Sequence, residues 1–370
     1  MWGKPNYARR KRETDVLQVI TSTDRRGAEV FAVDLGEALT RRGRRVRTVA
    51  LTPGDAPGGL DVPTLGQRRL GAGTLAALRV EARAARLVIA HGSTTLPACA
   101  LATLGTGVPF VYRNIGDPAH WSGTRGRRLR SSLLLRRARA VVALSPGTAG
   151  ELADRYRVQP SRIRVIPTGS PASRFQPADE GARLRGRETF GLTRTQKVVL
   201  YLGALSSEKK VGLAIEAVAR LAGVHLLVVG DGPERRALEL LAREVAPEEV
   251  RFAGATEDPA QALAAADVLV LPSSTEGLPA VLIEAGLSRV PVVATDVGLV
   301  RDIVVDHRTG LLVPTGDVEA LAAALAAALS DAARLAEAAR VHCLERFELG
   351  VVAALWHDLI CEIIGFRLDG

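Results

Sequence analysis

Cysteine is scarce. Cys99, Cys343 and Cys361 are too few and too scattered in 370 residues for a disulfide framework, and none belongs to a C-x-x-C pair that would suggest structural zinc. A reducing cytosol is the expected setting. Aromatic residues make up only 4%, and the basic half has no interleaved aromatic platform, helix-turn-helix or zinc pattern, so no nucleic-acid partner is expected. No window approaches the roughly 18 to 20 uninterrupted apolar residues of a membrane span. The charged start has no apolar stretch behind it, so neither a signal peptide nor integral insertion is expected. No Asp-x-Asp cluster is present to hold a divalent metal, and no tandem repeat or low-complexity tract appears. What is abundant is apolar residues, 47% of the chain, enough to bury the cores of two ordinary domains.

Acidic residues are unevenly distributed. Residues 1–190 hold 33 Lys+Arg against 15 Asp+Glu, and the remainder 16 against 25, so halves of +18 and −9 make up the net +9. A basic front half suits phosphates, anionic lipid or an acidic substrate. The densest run, Arg125, Arg127, Arg128, Arg130, Arg136, Arg137 and Arg139, interleaves with Leu129, Leu133, Leu134 and Leu135. It reads as a basic amphipathic helix suited to an anionic headgroup layer, or as a solvated face produced by an arginine-rich composition. The localisation expected is cytoplasmic, peripheral on the inner face of the membrane if that helix engages lipid.

Short apolar runs alternate with helical patterns along the chain, the signature of βαβ units and parallel sheets. In the back half, residues 198–202, 226–229, 268–271, 292–294 and 311–313 read as strands buried on both faces. Helical spacing falls at 213–221, 233–246, 259–265, 279–287 and 318–329, three of these opening with proline. The Ala-rich stretch 320–339 also reads as helix. The front half repeats the scheme with strands at 16–20, 46–51, 87–90, 110–112, 141–144 and 163–166 and a helix at 28–41. Residues 168–196 have little periodicity and read as the linker. The fold class is therefore α/β with two doubly wound open sheets, an N-terminal domain over 1–175 and a C-terminal domain over 176–350.

Ligands of such sheets sit beyond the carboxyl ends of the strands. After the strand at 268–271 comes Pro272-Ser273-Ser274-Thr275-Glu276-Gly277-Leu278-Pro279-Ala280, then a helix containing Glu284. Backbone N–H groups of Gly277, Leu278 and Ala280 around Pro279 at this helix entry, with the helix dipole, make a phosphate site. Carboxylates beside an anion site are unfavourable unless they bind hydroxyls, so Glu276 and Glu284 favour a ligand carrying phosphate and sugar together. A second loop begins at Gly203 and holds Lys209, whose ammonium can neutralise a diphosphate. A third, containing Asp231, either holds a base or is a purely structural turn.

At these residues the chain resembles the nucleotide-binding domain of the retaining, GT-B-fold glycosyltransferases of family 4. Glu276 and Glu284 match the family's E-x7-E motif, Gly203 and Lys209 its glycine and phosphate lysine, and Val292-Val293-Ala294-Thr295-Asp296-Val297-Gly298 follows. The likeness extends over most of 195–330 and more loosely into the front half through Gly27-Ala28-Glu29, Ala143-Leu144-Ser145 and Val165-Ile166-Pro167-Thr168-Gly169. It implies two Rossmann-like domains facing a central cleft, the first binding acceptor and the second nucleotide-sugar, with a last helix at 351–370 packing back on the first.

Carried over residue by residue, the resemblance implies contacts from Glu284 to the ribose and from Glu276, Gly277 and Leu278 to the transferred sugar and phosphate. Lys209 would meet the diphosphate, and Gly27 would approach it from the front domain. No bound metal or other cofactor is implied, the nucleotide-diphosphate sugar being a co-substrate, with UDP-sugars the first expectation and GDP-mannose the second. The acceptor would be a hydroxyl of a glycan, a lipid-linked or a small molecule. Three positions depart from the family pattern: Ala204 stands for a usual arginine, Lys210 for a common glycine and Thr168 for asparagine. Many relatives carry a histidine after the strand at 110–112, a place His120 could take, while His91 at another strand end reads as structural. Two alternatives stay open, a sugar-nucleotide-binding scaffold without turnover and a nucleotide-sugar 2-epimerase, which would place more acid–base groups in the cleft. A dinucleotide oxidoreductase is disfavoured because the loop at 21–27 has one glycine where G-x-G-x-x-G needs three.

Overall fold

The computed structural model of the chain describes residues 13–55, 58–116 and 125–365. They belong to two compact units, Met1–Pro167 with Ala353–Gly370, and Thr168–Val352. The sequence pattern alone places the change of domain at 175/176.

In the first unit the chain runs β1 (Thr14–Ser22), α1 (Gly27–Arg41), β2 (Val46–Thr52), α2 (Ala72–Ala84), β3 (Ala85–His91) and α3 (Leu96–Ala102). It continues through β4 (Phe110–Arg113), α4 (Arg125–Leu135), β5 (Ala140–Ala143), α5 (Pro146–Tyr156) and β6 (Ile163–Val165). The sheet order is β2-β1-β3-β4-β5-β6, with every neighbouring pair parallel. Val16, Leu17, Val19, Ile20, Val88 and Ile89 are fully buried on both faces, which is why these strands read as continuous apolar runs rather than alternations. Because β1 pairs with β2 on one side and β3 on the other, the winding reverses at β1/β3. The loop entering α1 at Gly27 and the end of β3 at His91 both lie at that switch point.

The second unit contains α6 (Glu180–Thr189), β7 (Lys197–Leu202), α7 (Val211–Val218), β8 (Val224–Val229), α8 (Arg235–Val245), β9 (Val250–Gly254) and α9 (Pro259–Ala265). Then come β10 (Val268–Leu271), α10 (Ala280–Leu287), β11 (Val292–Thr295), α11 (Val300–Ile303), β12 (Leu311–Val313), α12 (Val318–Ser330) and α13 (Ala332–Arg346). Its sheet, β12-β11-β10-β7-β8-β9, is again parallel throughout, and the switch falls between β7 and β10. The loops leaving those two strands are the ones singled out by motif.

The last helix, α14 (Leu349–Ile364), enters the first unit at Ala353. Trp356 is fully buried with its ring 6.5 Å from that of His91, Arg44 donates to Cys361 Sγ, and Arg164 pairs with Glu362 at 2.6 Å.

Three local expectations need correction. The stretch 168–196 is not a bare linker, since α6 occupies its middle. That helix is held by polar anchors rather than an apolar stripe. Asp179 caps it at Ala182 N, and the buried Arg187 donates to the carbonyls of Ala265 and Thr193 and to Asp267. Of the three prolines expected to open helices, only Pro259 does. Pro279 is the N-cap of α10, and Pro233 lies two residues ahead of α8. The Ala-rich stretch is two helices broken at Asp331.

Candidate active site

Each candidate loop of the second unit starts at the carboxyl end of a buried strand, and backbone bonds stitch the three together. Gly203 donates to Val229 O, Leu205 to Asp231 O, and Glu234 to Leu205 O, tying the β7 and β8 loops. Side chains have no room there: a Cβ on Gly230 would fall 1.8 Å from Gly203 O, and one on Gly232 would fall 2.4 Å from Leu205 O. Tyr201, buried in β7, donates through its hydroxyl to Ala204 O at 2.7 Å and fixes the start of the loop. Across the switch point, both the amide and the hydroxyl of Ser274 donate to Glu208 O, at 2.8 and 3.0 Å.

This stitching brings Lys209 and Glu276 into contact. Lys209 ends a short 3-10 turn, and its Nζ lies 2.7 Å from Glu276 Oε1, which also accepts from Ser273 Oγ at 2.6 Å. Glu276 is 8% exposed, so its charge leaves water only because these two donors compensate it. Both carboxylate-bearing neighbours, Glu276 and Glu208, oppose ionisation of Tyr201, but burial is the larger cause of its phenol being held above its ordinary range. Glu208 is pulled below the usual carboxylate range, first by the hydrogen bond from Ser206.

Next along the chain, α10 begins at Ala280 after the N-cap Pro279, with no side-chain cap. Among the described residues no acceptor takes the N–H groups of Gly277, Leu278, Ala280 or Val281. Gly277, Ala280 and Val281 are half-buried, and the positive end of the helix lies behind these amides. The turn that presents them is backed by the segment after β11. Gly298, at φ +54°, packs so closely that a Cβ would meet Glu276 O at 1.9 Å, and Leu299 donates to Gly277 O. Thr295 Oγ1 donates to Ser273 O from below. Tyr201, Ser273, Thr295 and Gly298 are not among the candidates drawn from sequence. Their roles are tertiary contacts, and only the positive φ of Gly298 has a trace in residue type.

Glu284 is half-buried one turn into α10, on the same element as the free amides. Asp231 is committed to its own turn: Oδ1 accepts from Gly232 N at 2.7 Å and Oδ2 pairs with Arg235 at 3.2 Å. The position of the family's usual arginine, Ala204, is exposed. Lys210 is exposed too, in the left-handed conformation at φ 51°, and its ammonium has no partner among the described residues.

In the first unit Gly27 is the exposed first residue of α1, where a Cβ would meet nothing within 4 Å. The fold itself therefore gives no reason for glycine there. His91 is buried. Gln18 Nε2 donates to Ala32 O and Thr48 Oγ1, so Gln18 Oε1 is left to accept from His91 Nε2 at 3.0 Å, and the imidazole carries its proton on Nε2. Burial, with Arg113 nearby, holds the pKa of His91 well below 6.5. Arg113 ends β4 over the ring of Phe31 at 3.9 Å, and burial lowers it to about 9 against the opposing attraction of Glu29. His120 lies outside the described residues. Among the described residues no cluster of three His, Cys, Asp or Glu side chains could hold a metal.

Two α/β units, each with a six-stranded parallel sheet that reverses its winding beside its first strand, define the GT-B class. Residues 25–174 match the family described as Glycosyltransferase Family 4 and 196–331 that described as Glycosyl transferases group 1, and the chain belongs to this family of glycosyltransferases. It is 30% identical to the alpha-maltose-1-phosphate synthase of Mycolicibacterium smegmatis over 74% of this chain and 78% of that one. It is 37% identical to a D-inositol 3-phosphate glycosyltransferase of Mycobacteroides abscessus over 46% of this chain, a match that spans only 40% of the relative's length. The fold is shared with Anabaena HepE solved with UDP and glucose, at TM-score 0.83 and 22% identity, covering 94% of this chain and 99% of HepE.

Proposed function

We propose that the chain is a retaining hexosyltransferase that moves a sugar from a nucleotide diphosphate to an acceptor hydroxyl without a metal. A UDP-sugar is the first candidate donor and GDP-mannose the second. The observation that carries this reading is the cation and open amides at one switch point, Lys209 beside Gly277, Leu278, Ala280 and Val281. A UDP complex of a protein sharing the fold supports the choice of base.

In the free protein Glu276 occupies the ammonium that a diphosphate would take. An entering β-phosphate draws Lys209 to itself, and Glu276 is released to accept from sugar hydroxyls, which resolves the cost of a carboxylate beside an anion. As the bond from the anomeric carbon to the phosphate oxygen breaks, the electron pair stays on the diphosphate, and Lys209 with the open amides stabilises it. The acceptor oxygen bonds to the same face of the carbon, and its proton passes to the departing phosphate oxygen. Glu276 is not cast as nucleophile. Glu284 is assigned to the ribose. With Asp231 locked in its turn, a base in that loop would contact backbone.

The cellular setting proposed is the cytoplasm, with the arginine-rich α4 face meeting the inner leaflet. No helix among the described residues is long and apolar enough to cross a membrane. The deciding experiment incubates the protein with UDP-, GDP- and ADP-sugars and follows donor hydrolysis and transfer. Slow release of nucleoside diphosphate from one donor is expected. Nucleotide binding with no hydrolysis and no transfer to any acceptor would replace this reading by the scaffold.

A further inference from the structure

At the amino ends of β5 and β6, opposite the strand ends that carry Gly27 and His91, lies a cavity of about 160 Å³. Arg139, Arg162 and Arg164 line it, with Glu362 of α14 as the single carboxylate. That volume equals about five waters at ~30 Å³ each, room for a tetrahedral oxyanion. Three guanidiniums against one carboxylate leave two positive charges uncompensated.

Two of the three arginines are held in place rather than left to swing in solvent. Arg162 donates to Arg136 O at 3.0 Å. Arg164 donates to the carbonyls of Ser161 and Ile163 at 2.8 and 3.2 Å and pairs with Glu362 at 2.6 Å. Arg139 is exposed, and its side chain has no partner among the described residues. Gathering three like charges costs free energy that Glu362 repays only in part, whereas a dianion would match the net charge and meet planar donors suited to its oxygens.

We propose that this cavity of the first unit is a phosphoryl-binding site for a phosphate monoester dianion, sharing no residue with the nucleotide site. The proposal does not depend on the transferase reading. Arg139 supplies the free cation, Arg162 and Arg164 the fixed ones, and Glu362 sets the net charge at +2. The monoester could belong to a dissolved metabolite or to a lipid headgroup.

The test titrates glycerol 3-phosphate into the full-length protein by calorimetry at constant ionic strength. Saturable binding is expected, weakened about tenfold by Arg139→Gln, which breaks no side-chain bond, and tightened about threefold by Glu362→Gln. Lys209→Ala should leave that isotherm in place, which separates it from phosphate bound at the nucleotide site. An isotherm that does not saturate, or that is the same in Arg139→Gln and Glu362→Gln as in the parent, overturns the proposal. The source is read by adding phosphatidylcholine vesicles with and without phosphatidic acid. Displacement of glycerol 3-phosphate only by the phosphatidic acid vesicles assigns a headgroup, and no displacement assigns a dissolved phosphate; either upholds the site.

Discussion

At Lys209 one ammonium has two competing acceptors, a carboxylate in the free protein and, in the proposed reaction, a departing diphosphate. Its contribution should therefore appear in the rate more than in donor affinity, because the ground state already satisfies it. Lys209→Ala is expected to lower kcat by about 10² to 10³ while changing donor Kd by less than about tenfold. Steady-state kinetics beside calorimetry would check this, and an unchanged kcat would remove Lys209 from the mechanism. Glu284→Ala should do the reverse, weakening donor binding by about tenfold with a smaller effect on kcat; an unaltered Kd would end the ribose assignment. His91 makes a separate statement about pH. Its folded pKa is depressed by burial, so the unfolded chain takes up the proton first, and stability falls as pH drops below about 6.5, by up to about 1.4 kcal/mol per unit. Urea melts from pH 7.5 to 5 should show a shallower slope for His91→Gln than for the parent, and equal slopes would refute the buried neutral imidazole. Lys209, Glu276 and Gly277 are legible in the amino-acid sequence because they fall in loops after apolar strands. Ser273, Tyr201 and Thr295 are not, since a hydroxyl beside a strand says nothing about which carboxylate or carbonyl it will meet.

The 3-10 turn and the entry to α10 show how an element can be right in kind and still carry a local conflict. Lys210 joins the turn to α7 in a left-handed conformation that costs an L-residue about 1–2 kcal/mol. Lys210→Gly should relieve it, less the extra chain entropy of glycine, for a net gain of about 0.5–1 kcal/mol and a Tm rise of about 1–3 °C. A fall in Tm would show that the lysine side chain contributes contacts that outweigh the strain. At Gly298 the left-handed backbone requires glycine. A methyl there meets the Glu276 backbone from a left-handed position, so Gly298→Ala must move the turn that presents the Gly277 amide. A loss of about 2 kcal/mol or more in stability, with a lower kcat, is expected from thermal melts and donor hydrolysis. Helix α6 is anchored by Asp179, Arg187 and Asp267, polar residues that periodicity counts as solvent-facing, and β9 is an edge strand whose Arg251 and Ala253 are exposed. Strands buried on both faces announce themselves as apolar runs, whereas an edge strand or a polar-anchored helix does not.

Over the whole chain the charge imbalance follows the division into units. The unit made of 1–167 and 353–370 holds 30 Lys+Arg against 15 Asp+Glu, the other 19 against 25, which gives +15 and −6. An excess of this size acts over distances near a Debye length, so it biases encounter with anionic surfaces before any specific contact forms. On α4 it coincides with apolar groups that water would otherwise cover, since Leu129 and Leu133, one turn apart, are 63% and 53% exposed among exposed arginines. Attraction of about 1 kcal/mol per arginine near an anionic leaflet, plus burial of two leucines, would give reversible rather than permanent attachment. Vesicles containing phosphatidylglycerol should therefore sediment the protein at low salt and release most of it near 1 M, where the Debye length is about 3 Å. Replacing Arg127, Arg128 and Arg130 by glutamine should weaken sedimentation about tenfold or more, while Leu129→Ala with Leu133→Ala should weaken it with little change in salt dependence. Equal partitioning onto neutral phosphatidylcholine, or none onto anionic vesicles at low salt, would leave the arginines as a solvated face. The two effects are separable because salt screens the guanidiniums and leaves the leucines' preference for hydrocarbon in place.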